Sequence, residues 1–446
     1  MQISRIPRNT LLLTASSLLL SSLGMWFQAW LAGRIGAAGI GLYQLTLSVV
    51  NLGATFAISG IRFASTRLIA EELGRENHPG IPAAMGRCLG YAAFFGLAAA
   101  LILYFLAEPL GFLWIGDART VRSLRIAAWS LPCISLGASL SGYFTACTRV
   151  WKPTLVHLLE ELFSIGMTAL LLRGLPAGDL EKSCAAVTLG RLAADLFSLL
   201  LMLLFFLGDL RRYRGGRDSG GGVTARMLRI AVPLAFSAYA RSALTTMQQL
   251  LVPRGLKRSG YSANGALAGY GVVQGMALPL ALFPACLMAA AAELIVPELT
   301  AAQVRRDRAK IRRTAAELLR SGLFYSAAVA VFLFVFADKL AMTVYHSADA
   351  GRYLRMLAPL VPVMYTDMCV DGCLKGLGQQ LWSMGVNILD GALGLLTVWL
   401  ALPRWGLGGY LVAVYLTELV NFALSLGRLL RVLHKLPEKT AAVSLL

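Results

Sequence analysis

Long apolar runs, separated by short polar or basic connections, recur along the whole chain. A helix needs roughly 20 mostly apolar residues to cross the hydrocarbon core of a bilayer, and these runs reach that length. The pattern predicts about twelve transmembrane helices, at residues 10–32, 39–60, 87–107, 123–147, 154–172, 183–207, 229–252, 266–294, 319–337, 354–374, 381–402 and 406–428. We therefore expect an all-α polytopic membrane protein.

Composition agrees with this interpretation. Hydrophobic residues make up 57% of the 446 residues and charged residues 14%, against about 25% charged residues in soluble domains. The first apolar run is longer than the roughly 7 to 15 residues of a signal-peptide core, so it is interpreted as a spanning helix. Lys and Arg concentrate in alternate connections, which predicts that both termini are cytoplasmic. The net charge of +18 then indicates membrane orientation and contacts with anionic lipids rather than nucleic-acid binding.

A basic, glycine-rich stretch at residues 209–228 predicts a cytoplasmic linker between an N-terminal lobe (1–208) and a C-terminal lobe (229–446). Five residues of the first half match residues of the second at an offset of 230, or 231 for the tryptophans. The pairs are Pro132 and Pro362, Gly142 and Gly372, Trp151 and Trp382, His157 and Asn387, and Glu160 and Asp390. Because each half holds six spans, the repeats are predicted to be parallel, as two six-helix lobes around a central cleft.

The sequence has no phosphate-binding loop, dinucleotide fingerprint, zinc-protease helix or nucleophile elbow. It therefore predicts no enzyme, no ATP-driven pump and no cofactor. Energy would come from an ion gradient or the membrane potential, with Na⁺ and H⁺ both open as the coupling ion. The seven cysteines form no CxxC pair and are interpreted as small buried hydrophobes.

Ionisable residues inside spans are costly and mark functional candidates. Arg241 lies in the seventh span among small and hydroxylated residues, either as a contact for an anionic phosphate or in an ion pair with a neighbouring acid. Arg34 and Arg62 lie just beyond helix ends, where reaching towards the interface is the alternative to binding substrate.

The acids within the spans are Glu160, Glu161, Asp195, Asp367, Asp371, Asp390 and Glu418. Asp367, Asp371 and Lys375 are spaced four residues apart, which predicts either a self-neutralised polar seam or a path for cations. Asn387 and Asp390, with Thr417 and Glu418 on the last helix, are candidate ligands for a coupling cation.

The predicted eighth span contains Gly275, Pro279 and Pro284. Prolines interrupt the hydrogen-bond ladder of a helix, and neighbouring groups or cavity water satisfy the freed backbone groups. The span is therefore predicted to bend, which suits a transporter that alternates between two open states.

Several segments resemble the family of stage V sporulation protein B and the polysaccharide-export flippases, in the superfamily that also holds MurJ and the MATE exporters. They are residues 36–45, 65–72, 270–279, 294–299 and 371–378. The resemblance implies a flippase that carries an undecaprenyl-pyrophosphate-linked oligosaccharide or peptidoglycan precursor to the outer leaflet of the bacterial cytoplasmic membrane. It further implies a role in spore cortex or cell-wall polysaccharide synthesis. We also expect the protein to act as a monomer.

MurJ carries an arginine and a glutamate upstream of the proline that matches Pro279, whereas this chain has Gln274 and Ala277 there. This departure shifts the expected cationic role to Arg241 and Arg62. The expected substrate contacts are Arg241, Arg62, Arg34, Gln274, Glu160 and Asp371. Na⁺ held between the seventh, eleventh and twelfth helices, as in some MurJ-like proteins, would involve Asn387, Asp390 and Thr417.

Two other functions remain open at this point. One is a MATE-type exporter of drugs coupled to a cation, which predicts a cavity lined by acids rather than arginines. The other is a glycosyl transferase or ligase acting on polyprenyl lipids. Such enzymes place catalytic acids or arginines in a long external loop, and the longest external connection predicted here, about 108–122, is short.

Overall fold

The computed structural model describes residues 5–75, 79–175, 179–210 and 222–435, with side chains from Leu18 onward. Within these ranges all regular secondary structure is helical, which confirms the all-α prediction. Residues 211–221 of the predicted linker lie outside the described residues.

The α-helices follow one another with short connections. They are α1 (Arg5–Ile58), α2 (Ile61–Gly74), α3 (Gly80–Pro109), α4 (Thr120–Ala128), α5 (Ser130–Ala146), α6 (Trp151–Arg173), α7 (Leu180–Leu210), α8 (Val223–Arg258), α9 (Ala263–Val272), α10 (Leu278–Leu282), α11 (Ala285–Val304), α12 (Arg308–Tyr345), α13 (Ala348–Leu357), α14 (Val361–Gly376) and α15 (Gln380–His434). Two π-helical segments, Leu110–Ile115 and Val273–Ala277, continue α3 and join α9 to α10, and a 3₁₀ turn, Ala358–Leu360, joins α13 to α14.

Nine helices of the described chain are long and apolar enough to cross a membrane. Two of them, Leu18–Gly74 with 57 residues and Gln380–His434 with 55, would each extend over about 80 Å, more than twice the roughly 30 Å of a hydrocarbon core. The first comprises most of α1 together with α2, and it contains a break at Gly36 (φ 69°) besides the one between Ile58 and Ile61. The second, α15, contains a break at Gly406 (φ 54°). A positive φ is readily adopted only by glycine. Gly36 and Gly406 lie beside the predicted boundaries between two spans, so each long element has the length of two crossings.

The predicted eighth span is divided in the structure. The π-helical segment Val273–Ala277 interrupts it first, and the helix then ends at Leu282, before α11 begins at Ala285. Proline lacks the amide hydrogen that the α-helical ladder requires. Pro279 follows the π segment and Pro284 immediately precedes α11, so both irregularities coincide with prolines.

The chain forms two compact units. The first consists of Arg34–Arg254 together with the start of α1, and the second of Ser17–Gly33 and the chain from Gly255 onward. The first has a core of residues from α2, α3, α5, α7 and α8, among them Leu68, Cys88 and Tyr143. The second has a core from α11, α12, α14 and α15, among them Leu299 and Val370. The predicted division into lobes of six spans stays a prediction.

The two units pack their central helices in the same way. A Cβ on Gly142 of α5 would lie 2.5 Å from the carbonyl oxygen of Arg62, and one on Gly372 of α14 would lie 2.8 Å from that of Ala292. These glycines therefore allow α5 to touch the start of α2 and α14 to touch α11. Because Gly142 and Gly372 are a pair of the sequence repeat, the two halves of the repeat share this close approach of helices.

Candidate functional site

The three arginines predicted from sequence to contact substrate all belong to the first unit. Arg34 lies beside the break in α1, Arg62 in the first turn of α2 and Arg241 in the middle of α8, and all three are exposed. None forms a salt bridge with a side chain of the described residues. The ion pair considered for Arg241 is therefore not found within the described chain.

A buried charge network lies between α6 and α7 of the first unit. The Arg191 guanidinium is 2.9 Å from Glu160, 3.4 Å from Glu161 and 3.3 Å from Asp195. The carboxylates are largely buried, with exposed side-chain fractions of 10%, 21% and 5%. His157 Nδ1 lies 3.3 Å from the other oxygen of Glu160.

The local sequence explains how this network forms. Arg191 and Asp195 are one helical turn apart on α7, so their side chains share a face. The preceding residue, Gly190, lies against Thr168 of α6, and a Cβ there would collide with the threonine. The missing side chain lets α6 and α7 approach closely enough for Glu160 to reach Arg191.

The network has fewer cations than anions. Three carboxylates surround one guanidinium, and hydroxyls of Ser130 and Ser198 bond to Asp195 and Glu160. One oxygen of Asp195 is buried without a hydrogen-bond partner among the described residues. Among the described residues one arginine thus holds the acids of two helices together, and its loss would leave buried carboxylates without their guanidinium.

The prediction from sequence named Glu160, Glu161 and Asp195 but missed Arg191. The residue lies inside the predicted span 183–207, the same condition that singled out Arg241. The signal available was its spacing of four residues from Asp195 on one helix face.

A second cluster, in the second unit, consists of acids from α14 and from both halves of α15. Asp367, Asp390 and Glu418 lie near enough for their charges to interact. Asn421 Nδ2 donates a 3.1 Å hydrogen bond to one oxygen of Asp367. The other oxygen of Asp367 and one oxygen of Asp390 are buried without a partner in the described chain.

The structure brings together only part of the predicted cation site. Asp390 and Glu418 belong to the acid cluster, but Asn387 Nδ2 donates to Ser383 O at 2.8 Å and Thr417 Oγ1 to Ala413 O at 3.0 Å, both on their own helix. Among the described residues there is no group of three or more His, Cys, Asp or Glu side chains with metal-binding geometry. Three acids near one another are therefore observed, and a formed metal centre is not.

The polar stripe on α14 is neutralised at one end. Lys375 Nζ lies 2.5 Å from Asp371, as the spacing of four residues predicts. Asp367, one turn before Asp371, has no such partner in the described chain and joins the acid cluster instead. The stripe thus combines a polar seam at its end with an uncompensated acid at its start.

The predicted hinge residues lie where backbone carbonyls lose their usual helical donors. Pro279 has no amide hydrogen to offer the carbonyl of Gly275 four residues earlier, and Gln28 Nε2 donates to that carbonyl at 2.7 Å. Gln274, beside Gly275, accepts a 2.8 Å hydrogen bond from Tyr410.

Repeat-related residues bond the carbonyls at the helix breaks. Before the break between α10 and α11, the Tyr365 hydroxyl donates to Ala281 O at 2.5 Å. Before the break between α1 and α2, the Ser135 hydroxyl lies 2.8 Å from Ala57 O and 2.9 Å from Ala92 O, and its one hydrogen can be donated to either. Ser135 and Tyr365 are related by the offset of the sequence repeat, so each unit places a hydroxyl at its break from the same position.

The sequence matches a known family and is similar to two sporulation proteins. A family model described as MatE matches residues 13–165 and 259–400. The chain is 23% identical over 415 residues to Stage V sporulation protein B of Bacillus subtilis (strain 168), covering 91% of this chain and 80% of that protein. It is 20% identical over 378 residues to Sporulation protein YkvU of the same organism, covering 84% and 83%.

Solved structures share the fold. An inward-facing multidrug resistance MATE family transporter of the MOP superfamily aligns with a TM-score of 0.72 at 15% identity, covering 94% of this chain and 96% of that one. The lipid II flippase MurJ in an inward closed conformation also gives 0.72, at 14% identity, covering 96% and 90%. At these identities the matches show a common architecture, and the match of the family model is what assigns the chain to a family.

Proposed function

Because this chain belongs to the MatE family of multi-pass membrane transporters, we propose that it is a flippase for a lipid-linked sugar. The substrate would be an undecaprenyl-pyrophosphate-linked oligosaccharide or peptidoglycan precursor, carried from the inner to the outer leaflet. Resemblance to two sporulation proteins favours a role in spore cortex or cell-wall polysaccharide synthesis. Membership of a transporter family excludes the alternative of a polyprenyl-lipid glycosyl transferase or ligase.

The observation that carries this proposal is the set of unpaired arginines in the first unit. A pyrophosphate brings negative charge into a region where unpaired charge is costly. Arg34, Arg62 and Arg241 are exposed and form no salt bridge within the described residues, so their donors are available to an anion.

The other proposed contacts have different surroundings. Glu160 and Asp371 are held in ion pairs with Arg191 and Lys375, so we expect the arginines to contribute most to substrate binding. Gln274 accepts a hydrogen bond from Tyr410 through its side-chain oxygen and offers its amide hydrogens to sugar hydroxyls.

The mechanism we propose is alternating access by the predicted lobes, 1–208 and 229–446, with bending near Gly275, Pro279 and Pro284. The protein would act as a monomer in the bacterial cytoplasmic membrane with both termini in the cytoplasm. A coupling ion, Na⁺ or H⁺, would bind the acid cluster of the second unit, and anionic lipids would surround the basic connections.

A flipping assay in proteoliposomes tests the substrate. Purified protein should translocate lipid II or another undecaprenyl-pyrophosphate sugar, and Arg241→Gln should slow this at least about tenfold, since a hydrogen bond to a charged group contributes roughly 1.5–3 kcal/mol. Arg173→Gln is the matched control, because Arg173 is also exposed and without a salt bridge in the described chain. An inactive wild-type protein beside an active control flippase, or an Arg241→Gln variant of unchanged rate, would refute the proposal.

The second candidate function is a cation-coupled multidrug exporter. It is favoured by one observation, the acid cluster of Asp367, Asp390 and Glu418, which contains no arginine or lysine in the described chain. Such a cluster would attract a cationic drug as readily as a coupling ion. Overexpression would then give resistance to cationic dyes, and Asp367→Asn would abolish it.

A further inference from the structure

A pocket of about 520 Å³ lies at the junction of α3, α4 and the start of α7. Its wall includes Arg122, Arg125, Tyr104, Trp129 and Glu181. The topology predicted from sequence makes this the external end of the first unit. The buried face of α4 points inward through Ser123, Leu124 and Ala127, which leaves its arginines on the other side.

The two arginines of the pocket are in different states. Arg125 is held in place, with its Nη2 2.7 Å from Glu108 and its guanidinium 5.6 Å from the centre of the Tyr104 ring. Its side chain is nevertheless 41% exposed and lines the pocket. Arg122 is exposed and forms no hydrogen bond or salt bridge with the described residues. The pocket therefore offers a fixed guanidinium with a spare donor beside a free one.

The same arrangement occurs in the second unit. The offset of the sequence repeat relates Arg122 and Arg125 to Arg352 and Arg355 of α13, and it relates Glu108 to Asp338. Arg355 forms an ion pair with Asp338, which holds it as Glu108 holds Arg125. In both units an acid on a long helix, Glu108 on α3 or Asp338 on α12, thus positions one of two arginines on the short helix beside it.

The surroundings of the first pocket fit the end of a lipid molecule. Tyr104 and Trp129 lie with ring centres 6.2 Å apart and are both exposed, the arrangement of aromatic side chains at a membrane interface. The apolar side chains of Leu101 and Phe105 on α3 are 51% and 73% exposed. If the hydrocarbon chains of a lipid pack along these side chains, its headgroup lies at the depth of Arg122 and Arg125.

We propose that this pocket binds the phosphate headgroup of an anionic lipid. The phosphate oxygens accept hydrogen bonds from Arg122 and from the exposed part of the Arg125 guanidinium, Trp129 covers the backbone of the lipid, and Glu181 accepts hydrogen bonds from hydroxyls of the headgroup. Arg352 and Arg355 form an equivalent site in the second unit. The phosphate belongs either to a bilayer phospholipid such as phosphatidylglycerol or to a polyprenyl phosphate. The inference holds whether or not the chain is a flippase.

Native mass spectrometry of the purified full chain tests the site. The protein is loaded with phosphatidylglycerol, with phosphatidylcholine or with undecaprenyl phosphate, and the retained lipid is counted. Wild type should retain phosphatidylglycerol over phosphatidylcholine, and Arg122→Gln should reduce its affinity about fivefold, which corresponds to about 1 kcal/mol for one arginine near a lipid phosphate. Arg352→Gln should give a similar loss, and the double variant should lose more than either.

Lys182→Gln is the matched control, since it removes a positive charge from the same end of the unit but from a lysine paired with Asp179 at 2.9 Å. It should leave retention unchanged. Competition identifies the source: displacement of phosphatidylglycerol by undecaprenyl phosphate indicates a polyprenyl lipid, and resistance to it indicates a bilayer phospholipid. Equal retention of phosphatidylglycerol and phosphatidylcholine, or equal losses in Arg122→Gln and Lys182→Gln, would overturn the proposal.

Discussion

In the first unit the acids Glu160, Glu161 and Asp195 surround an arginine, whereas the cluster of Asp367, Asp390 and Glu418 in the second unit has an asparagine and no cation among the described residues. Both clusters are buried among transmembrane helices, and both include a residue of the same repeat pair, Glu160 and Asp390. In the first, Arg191 bonds to all three carboxylates. In the second, Asp367 and Asp390 have no arginine or lysine partner in the described chain, and one oxygen of each is unpaired, as is one oxygen of Asp195 in the first.

This difference between the two acid clusters indicates different roles for them. Acids already bound to a fixed guanidinium hold two helices together, and part of their charge is neutralised. Acids buried near one another without a cation repel, and protonation or a bound cation relieves that repulsion. The first cluster is therefore the better candidate for a structural element, and the second for the coupling-ion site.

The largest effect should follow from removing the arginine. Arg191→Gln leaves three acids without their cation, and we expect a loss of about 3 kcal/mol, at the lower end of the range for broken buried pairs because the arginine side chain is 43% exposed. The measurement is thermal unfolding of the purified protein in detergent.

A rescue variant distinguishes charge from packing. Adding Glu161→Gln to Arg191→Gln removes one stranded carboxylate and should restore part of the lost stability. If the double variant unfolds at a lower temperature than Arg191→Gln alone, the cluster is not held by charge and the contrast between the units fails.

A smaller effect of opposite sign is expected in the second unit. If Na⁺ binds the acid cluster, adding it should stabilise the wild-type protein by up to about 2.7 kcal/mol at a concentration about one hundred times its Kd. Asp367→Asn should abolish this dependence, and Glu161→Gln in the first unit should preserve it. Equal sodium dependence in Asp367→Asn and wild type would rule out Asp367 as a sodium ligand.

Sequence periodicity predicted the fold well because bilayer thickness fixes the length of each apolar run. It located the breaks near Gly36 and Gly406, and the proline-rich region where α10 gives way to α11. It did not predict that the eighth span divides there, since hydropathy remains high across Phe283 and Pro284 while the hydrogen-bond ladder stops.

The candidate site was predicted less completely. Individual acids and Arg241 stand out from an apolar background, but their partners depend on which helices touch. Glu160 meets Arg191 across two helices, and Glu108 meets Arg125 from a different helix. The repeat in the sequence carried part of this information, because its offset also relates the outer ion pairs, which neither hydropathy nor motif spacing singled out.

The smallest expected effect compares the two helix breaks directly. Ser135→Ala and Tyr365→Phe each remove the hydroxyl next to a carbonyl at a break, while leaving the buried side chain nearly the same size. Each should cost about 1 kcal/mol in thermal unfolding, the usual contribution of one buried hydrogen bond.

Ser139 and Tyr345 provide controls, because their buried hydroxyls have no partner in the described chain. Ser139→Ala and Tyr345→Phe remove the same groups without breaking a hydrogen bond, so they should leave stability unchanged or raise it slightly. If Ser135→Ala and Tyr365→Phe lose the same stability and neither control loses any, both repeats use a hydroxyl at the same position to stabilise a helix break inside the membrane. A loss of stability confined to one unit would mean that only that unit depends on its hydroxyl. The two breaks would then share the position of the hydroxyl but not its contribution to stability.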